Sequence, residues 1–271
     1  MDINRFKLIV KHSDANEAQM EDKVRDFYAR LDMENGRDLR NVMQIARPLF
    51  QRSNYIIVEI PFADKEIGAI SYKEGKLGYV FLNTSLPEVN VNFAFCHEVY
   101  HVFYQRLQRK QKMELFLNEH YLEQEEELAA NLFASMVLMP KQSFLHMYRR
   151  FCSETESGDS RLTVLAKLMN YFEVPYMAAL LRCYELKLLE SGEPLEELIH
   201  VDAGRMREEF SRLWLNERIL DATGNDDYER LERLVMYQGG IYQAKGYVDK
   251  RNVEKALKNM RILYRKIREE Y

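Results

Sequence analysis

The most informative residues form the pattern His-Glu-x-x-His at His97, Glu98 and His101, inside a stretch that predicts a helix. Four residues advance a helix by about 6 Å and about 40° around its axis, so the two imidazoles point to one spot. Two imidazoles at this separation can bind one Zn²⁺ ion. Glu98 lies one position further round, where it can take a proton from a water on the metal as that water attacks a carbonyl. The spacing therefore indicates a hydrolytic zinc site.

A catalytic zinc ion also needs a third protein ligand, and a later predicted helix offers one. This helix opens with three glutamates followed by Leu-Ala-Ala-Asn, and its small residues allow close packing against the first helix. We favour Glu127 over Glu125 and Glu126 because Asn131 follows it by one helical turn on the same face. Asn131 can accept a hydrogen bond from a ligand imidazole and so fix its tautomer. The predicted zinc ligands are therefore His97, His101 and Glu127.

Each half of this arrangement also has a non-catalytic interpretation. The pattern His-Glu-x-x-His occurs by chance in unrelated helices. Glutamates at the start of a helix commonly compensate the helix dipole on a solvated face. The combination of a helical motif, a preceding strand pair and a later Ala-rich helix with a glutamate favours the metal site.

Peptide hydrolysis requires a further group that stabilises the tetrahedral oxyanion, and the sequence leaves its identity open. Three residues near the two predicted helices are candidates for this role: His120, Tyr100 and Tyr104. The remaining histidines are interpreted as surface or core residues.

The elements that position these residues predict an α+β fold that is predominantly helical. The segment 55–60 is rich in β-branched residues, and strands at 67–72 and 78–83 flank a short Gly-containing connection typical of a hairpin. A small sheet is therefore expected between about residues 55 and 83. The site residues lie on predicted helices at about 92–108 and 122–139. The other predicted helices of this region cover about 14–34, with Asp14 as its cap, 38–50, 141–152, 161–172 and 176–189.

The segment Ser-Gly-Glu-Pro at 191–194 predicts a boundary between a domain of residues 1–192 and a helical extension of residues 193–271. The extension predicts helices at about 194–219, 226–245 and 250–270, the last two as an antiparallel hairpin. Gly239 and Gly240 fall within a helix, where each costs about 1 kcal/mol relative to alanine, and such glycines are typical of close helix approach. The sequence assigns no role to this extension.

Composition excludes several classes of protein. The 271 residues are 46% hydrophobic and 30% charged, which is too apolar for a disordered chain. The net charge of −4 provides no global positive field for nucleic acid or anionic lipid. Three cysteines without a Cys-x-x-Cys pair, no signal-peptide core and no membrane-length apolar run predict a cytoplasmic protein that does not bind membranes.

Residues 160–190 have the outline of a helix-turn-helix, which raises the question of DNA binding. The charges in this segment nearly cancel, whereas a recognition unit should neutralise several phosphates. Direct nucleic-acid binding is therefore not expected, and the pair is interpreted as a packing or partner surface.

The sequence resembles the ImmA/IrrE-type metallopeptidases. That family has an apolar lead into His-Glu-x-x-His, then Glu-x-x-Ala-Asn-x-Phe-Ala, then Leu-Met-Pro. The corresponding segments here are FAFCHEVYH at 93–101, ELAANLFA at 127–134 and LMP at 138–140. The resemblance covers roughly residues 14–190.

The resemblance implies a zincin-like fold with His97, His101 and Glu127 as ligands of one Zn²⁺ ion and Glu98 as general base. It also implies a substrate class, since family members cut or inactivate helix-turn-helix repressors of mobile elements or govern stress responses. We therefore expect a zinc-dependent metalloendopeptidase that cleaves a regulatory protein of this kind. The alternative is a non-proteolytic regulator of the same fold that binds and inactivates a transcription factor.

Overall fold

The structure, a computed structural model, describes residues 2–105, 123–154, 161–189 and 195–269. The elements up to residue 185 are α1 (Ile3–Arg30), α2 (Val42–Arg52), β1 (Tyr55–Ile60), β2 (Ala69–Glu74), β3 (Leu77–Asn83), α3 (Glu88–Phe103), α4 (Glu123–Leu138), α5 (Lys141–Ser153), α6 (Arg161–Phe172) and α7 (Tyr176–Glu185). Beyond residue 195 they are α8 (Leu195–Ile199), α9 (Ala203–Arg212), a 3₁₀ turn (Glu217–Leu220), α10 (Tyr228–Ala244) and α11 (Lys250–Arg268). The fold is α+β and predominantly helical, which confirms the predicted class.

The three strands form one mixed sheet in the order β1-β3-β2. Strand β3 pairs with β1 in parallel and with β2 in antiparallel fashion, and Gly75 supplies the positive φ of +60° in the hairpin turn. The predicted three-stranded sheet and its hairpin are confirmed. Because β3 is central, β2 is an edge strand, and this edge borders the site described below.

Helices α1, α3 and α4 share the main hydrophobic core on one side of the sheet. The rings of Phe27 on α1 and Phe133 on α4 meet edge to face with centroids 5.7 Å apart, and both side chains are fully buried. Such aromatic pairs add about 0.5–1.5 kcal/mol beyond their buried area. The core therefore fixes α4 between α1 and α3.

Helix α1 begins earlier than the sequence predicted. Its cap is Asp2, whose Oδ1 accepts a hydrogen bond from the Asn4 amide at 2.8 Å, so the predicted cap at Asp14 lies within the helix. The first turns bury Phe6 against later helices, a tertiary contact that the local pattern does not reveal. The helix ends at Arg30, four residues before the predicted end.

Helix α2 starts at Val42, four residues later than predicted, and runs to Arg52, with Pro48 inside it. Proline inside a helix removes one backbone hydrogen bond and costs about 3 kcal/mol. The next two residues, Leu49 and Phe50, are buried in the main core. Their burial offsets the cost, so packing overrides the local signal.

Helix α3, which carries the two histidines, differs from its predicted bounds of about 92–108 at both ends. Helix α3 starts four residues earlier than expected, directly after Pro87, and ends at Phe103. Pro87 is the N-cap of this helix with an extended ψ of 147°, and its missing N–H costs no helical hydrogen bond at this position. The segment 106–122, which contains the predicted C-terminal end of this helix, lies outside the described residues.

The predicted helix at 194–219 is divided into α8, α9 and the 3₁₀ turn. Asp202 starts α9 as its cap, since its carboxylate accepts a hydrogen bond from the Arg205 amide at 2.8 Å. Trp214 ends it with a φ of +55°, a left-handed conformation that a helix cannot continue. Two local backbone signals thus interrupt a stretch whose apolar pattern alone predicted one helix.

The elements beyond residue 195 pack on the preceding helices in two places. One cluster joins Met206 and Phe210 of α9 to Leu162 and Met169 of α6. A second cluster joins α10 and α11 to the face of the sheet that carries Val58, through contacts that include Leu231, Tyr264 and Ile267. The predicted domain division at residue 192 stays a prediction, while these contacts show how the extension is attached.

Helices α10 and α11 form the predicted hairpin, and its two adjacent glycines have different surroundings. A Cβ atom at Gly239 would lie 2.6 Å from Cγ1 of Val253 on α11. A Cβ atom at Gly240 would have no atom of another residue within 4 Å. Gly239 is therefore the position that allows close helix approach.

None of the described helices combines the length and the apolar character that a membrane span requires. The three cysteines are free, with Cys96 and Cys183 buried and Cys152 exposed. This agrees with the sequence interpretation that no disulfide framework supports the fold.

We predict opposite effects on stability from alanine at these two neighbouring positions. Gly239→Ala should lower the free energy of unfolding by about 1–3 kcal/mol, because the stiff side chain of Val253 must move. Gly240→Ala should raise it by up to about 1 kcal/mol, because alanine favours the helix and meets nothing. Urea unfolding followed by circular dichroism measures both values. A common sign for the two variants would contradict the assigned helix approach.

Candidate metal centre

Helix α3 presents His97 and His101 from adjacent turns of one face, and its other faces are anchored in the core. Phe95, Cys96 and Val99 are fully buried on the opposite side. The two histidine side chains remain 16% and 11% exposed, respectively, and line an open cleft. The helix is therefore held rigidly while its two imidazoles face the cleft.

Helix α4 lies against α3 and brings Glu127 to the same point. Ala130 and Ala134 of this helix are fully buried, and side chains this small allow close packing of helices. Glu127 stands about one turn before Ala130 and is 52% exposed at the rim of the cleft. The predicted pairing of an Ala-rich helix with the histidine helix is therefore what the structure shows.

The three predicted ligand side chains converge. The Nε2 atoms of His97 and His101 lie 2.9 Å apart. Glu127 places Oε2 3.0 Å from Nε2 of His97 and Oε1 3.4 Å from Nε2 of His101. Each residue thus offers one donor atom within 4.8 Å of the other two, the only such group of three among the residues described.

This donor set fits a tetrahedral zinc ion. Bonds of about 2.0–2.1 Å at tetrahedral angles place neighbouring donors about 3.3–3.4 Å apart. The observed separations of 2.9, 3.0 and 3.4 Å are within about 0.5 Å of that requirement. Two imidazoles and one carboxylate are also the donor types of hydrolytic zinc sites, which leave one position open.

Both imidazoles are held by an amide side chain behind them. Oδ1 of Asn131 lies 2.9 Å from Nδ1 of His97, as the one-turn spacing from Glu127 predicted. Oε1 of Gln105 lies 3.2 Å from Nδ1 of His101. An oxygen acceptor at Nδ1 favours the tautomer with its proton there, which leaves Nε2 free to bind a metal.

The sequence interpretation missed Gln105. This residue follows His101 by four positions, which is a visible helical spacing. The structure ends α3 at Phe103, so Gln105 reaches the imidazole from just beyond the helix end. The four-residue spacing is visible in the sequence, but it does not show whether the Gln105 side chain contacts His101 or points to solvent.

The charges around the three donors are strongly coupled. Burial by itself raises the pKa of Glu127, but hydrogen bonds from His101 and His97 outweigh it and hold that pKa far below its ordinary value. Burial lowers the pKa of His101, while the bond to Glu127 and the charge of Glu98 raise it above its ordinary value. The carboxylate is therefore ionised, and the site stabilises positive charge at its centre.

Glu98, the predicted general base, lines the same cleft as the three donors. Its side chain is only 6% exposed, and Oε2 has no hydrogen-bond partner among the described residues. Leaving a buried carboxylate oxygen unpaired is costly unless a ligand or water completes it. Because Glu98 lines the cleft, a water or ligand bound there can form the hydrogen bond that this oxygen lacks.

The cleft has a volume of about 550 Å³ and is bounded by α3, α4 and the start of β2. Residues 68–71 form the strand side of it. Gly68 lies so close to α3 that a Cβ atom there would stand 3.0 Å from Cβ of Ala94. The edge of the sheet thus runs directly alongside the histidine helix.

The loop that precedes β2 forms another part of the cleft wall, and Asn83 holds this loop in place. Its fully buried amide donates to the carbonyl oxygens of Asp64 at 2.9 Å and Ile67 at 2.8 Å. Its Oδ1 accepts from the Phe62 amide at 2.9 Å. One side chain therefore fixes the path of the loop 61–68, from which Lys65 also lines the cleft.

The two tyrosines considered as candidates for the oxyanion role are turned toward α1. Tyr100 accepts a hydrogen bond from Nζ of Lys23 at 3.0 Å, and Tyr104 donates one to Asp26 at 2.7 Å. Burial and the bond to Asp26 raise the pKa of Tyr104 above its ordinary value. Neither phenol lines the cleft, so the geometry gives that role no support. The third candidate, His120, lies outside the described residues.

The helix-turn-helix outline corresponds to α6 and α7, and α7 has no exposed residue. Arg182, a cation that phosphate recognition would need, is 2% exposed. It donates to the Met139 carbonyl oxygen at 3.2 Å and pairs with Glu185 at 3.0 Å. A recognition helix must present its side chains to DNA. The packing interpretation of this segment is therefore favoured.

We predict that loss of either supporting amide weakens metal binding without removing a donor. Asn131→Ala and Gln105→Ala should each lower zinc affinity by about 10- to 100-fold, because the imidazole loses its preferred orientation and tautomer. Competition with a chromophoric zinc chelator measures the affinity. The matched control is Asn90→Ala, an amide of the same cleft that should leave the affinity unchanged. Wild-type affinity in Asn131→Ala would show that this amide does not support His97.

Comparison with known proteins agrees with this geometry. A peptidase family model described as the IrrE N-terminal-like domain matches residues 50–184. The matched span runs from the end of α2 through α7 and includes the sheet and all the residues of the centre described above. No curated protein matches the chain. The domain has the zincin-like fold that the sequence predicted, and the chain belongs to the ImmA/IrrE-type metallopeptidase family.

Proposed function

We propose that this protein is a zinc-dependent metalloendopeptidase that cleaves a regulatory protein. One observation carries the proposal: the donors of His97, His101 and Glu127 converge beside a buried carboxylate oxygen of Glu98 that has no described partner. A structural metal site is closed by four protein ligands, whereas a catalytic one keeps a position open. Three donors and an adjacent base match the catalytic arrangement.

The chemistry divides between the metal and the chain. Zinc held by the three donors would supply Lewis acidity toward a carbonyl oxygen and lower the pKa of water. Glu98 accepts the proton of the attacking water and returns it to the nitrogen of the leaving amine. The helix holds Glu98 beside the two histidines, so base and ligands keep a fixed relative position. Family membership supports peptide bonds as the substrate of this chemistry.

The edge of β2 supports an extended peptide as the substrate. The carbonyl oxygen of Gly68 accepts from the Asn83 amide on the β3 side. Backbone groups alternate sides along a strand, so those of Ala69 and Ser71 face away from β3. Residues 68–71 line the cleft, and an unpaired edge can bind an extended segment by main-chain hydrogen bonds. A segment bound in this way crosses the cleft beside Glu98.

Family resemblance supports the substrate class, a helix-turn-helix repressor of a mobile element or of a stress response. One scissile peptide bond offers little discrimination, so selectivity must come from docking the folded substrate. The competing hypothesis is stoichiometric inactivation of a transcription factor by the same fold. The two hypotheses differ in whether Glu98 is needed once metal is bound.

We predict that Glu98→Gln retains zinc and loses cleavage by about 10²- to 10⁴-fold, because only the proton acceptor is removed. Glu127→Gln should lose both zinc and activity, since glutamine is a poor substitute for a carboxylate ligand. Glu125→Gln, an exposed residue of the same helix, is the matched control and should resemble the wild type. Zinc is measured by plasma mass spectrometry. Cleavage is measured on purified helix-turn-helix repressors from the same genome and on labelled, denatured casein.

A wild-type protein that relieves repression without producing fragments, and a Glu98→Gln variant that does so equally well, would overturn the peptidase proposal. That result would instead support stoichiometric inactivation. Fragments produced equally by Glu98→Gln would show that another group is the base.

We further predict that the edge of β2 can be blocked by a single proline. Ser71→Pro removes the N–H that faces away from β3 and should lower kcat/KM by at least about tenfold, since one main-chain bond to the substrate cannot form. Ser71→Ala removes only the hydroxyl and is the control. Zinc content and melting temperature of both variants confirm an intact fold. Equal kcat/KM for the two variants would exclude strand pairing at this residue.

A further inference from the structure

Helix α11 carries a concentration of positive charge that the whole-chain composition conceals. Its 19 residues include eight lysines and arginines and one glutamate, a net charge of +7. The chain as a whole has a net charge of −4. The remaining residues of the chain therefore carry a net charge of −11 (−4 minus +7), opposite in sign to that of α11.

Five of the eight cations share one face. At 100° per residue they fall within an arc of about 100°, and the first and last are about 22 Å apart along the axis. We call this surface the basic face, and its cations are Arg251, Lys255, Lys258, Arg265 and Lys266. All five are exposed. The one large apolar residue on this face is Ile262, which is 44% exposed.

The other three cations of α11 are already paired. Arg261 binds Glu232 of α10 at 2.6 Å, and Arg268 binds Asp226 at 3.0 Å. Lys250 lies 3.8 Å from Glu254 at the start of the helix. These contacts attach α11 to the rest of the protein and fix the direction in which its remaining cations point.

No carboxylate of the described residues forms an ion pair with the five cations of the basic face. The acidic residues nearest along the chain are Asp249 and Glu269, at the two ends of the helix, and Glu254, which faces Lys250. Natural surfaces usually intersperse both signs of charge, because like charges repel. A long row without counter-charges indicates that a partner supplies them.

We propose that the basic face of α11 binds the phosphate backbone of double-stranded DNA. Duplex DNA carries about one negative charge per 1.7 Å of its axis, so a row of about 22 Å meets phosphates along its whole length. The face offers lysine and arginine and no built pocket, which suits sequence-independent contact with a backbone. The inference does not depend on the metal centre.

Two other anionic partners fit the surface less well. An amphipathic helix binds a lipid surface through its apolar face. The apolar side of α11 is instead occupied, since Tyr264 and Ile267 pack on the sheet. An acidic protein partner normally needs apolar anchors in a pocket, and Ile262 alone does not provide them. DNA requires only the charges that are present.

The proposal departs from the sequence expectation that direct nucleic-acid binding is absent. That expectation rested on the net charge of the chain and on the segment 160–190, whose second helix has no exposed residue. Neither observation concerned α11. The local electrostatic potential depends on which charged side chains share a face and on which of them form ion pairs. The ion pairs are visible only in the folded structure.

The test measures binding of the full chain to a fluorescent duplex of about 30 base pairs by anisotropy, between about 50 and 200 mM salt. Lys255→Gln, Lys258→Gln and Arg265→Gln are combined in one variant. The matched control combines Lys7→Gln, Lys11→Gln and Arg149→Gln, three exposed cations on α1 and α5 with the same change in charge. Circular dichroism confirms that both variants keep their helix content.

We expect the wild type to bind with an affinity that falls steeply with salt. The basic-face variant should bind at least about tenfold more weakly, with its log–log salt slope reduced by about 0.9 for each phosphate that the variant no longer neutralises. The control should stay within about twofold of the wild type. Glu98→Gln should bind DNA like the wild type, so this result and the result for peptidase activity are independent.

Three outcomes would overturn the proposal. The first is that the wild type does not bind the duplex at the lowest salt, and the second is that the two triple variants lose affinity equally. The third is that the wild type binds vesicles with anionic lipid, or a single-stranded RNA of equal length, more tightly than the duplex.

Discussion

The close approach of α3 and α4 is the constraint on which the rest of this structure depends. Two imidazoles and a carboxylate from different helices can meet at one point only if the two backbones lie close together. The carboxylate of Glu127 lies 3.0 and 3.4 Å from the two imidazoles, and the small residues Ala130 and Ala134 of the same helix are fully buried. The cost is a cluster of partly desolvated polar groups, which is stable when each has a partner. Glu127 pairs with both histidines, and the amides of Asn131 and Gln105 complete the arrangement.

Helix α1 contributes to this arrangement from behind. Lys23 lies 4.5 Å above the ring of Tyr100, and Asp26 accepts from Tyr104. Both tyrosines border the same helix end from which Gln105 reaches His101. The polar groups of α1 therefore bind residues at the C-terminal end of α3, where the last backbone carbonyl groups have no partner within the helix. The tyrosines have a structural explanation that does not involve the cleft.

The centre was more predictable from sequence than its surroundings, for a physical reason. Within each helix, a spacing of four residues places His97 near His101 and Glu127 near Asn131. The only further requirement is that the two helices lie in contact. Tyr100 has the same kind of local signal, but its partner lies on α1, far away in sequence, so its direction could not be inferred. The prediction for the start of α1 was wrong for a similar reason, since the tertiary burial of Phe6 decides where that helix begins. Burial of Phe50 likewise favours helix beyond Pro48, a residue that local propensity disfavours there.

The loop 61–68 joins two surfaces that otherwise have little in common. Its Ala63 amide donates to the Ile267 carbonyl oxygen of α11 at 2.8 Å, and Phe62 packs in the cluster that holds the helical hairpin. A few residues later, the same loop forms part of the cleft wall, with Asn83 clamping both stretches. The attachment point of the hairpin and the wall of the cleft are therefore separated by only a few residues of one continuous backbone. A substitution in this loop that is made to alter one surface must be compatible with the contacts of the other.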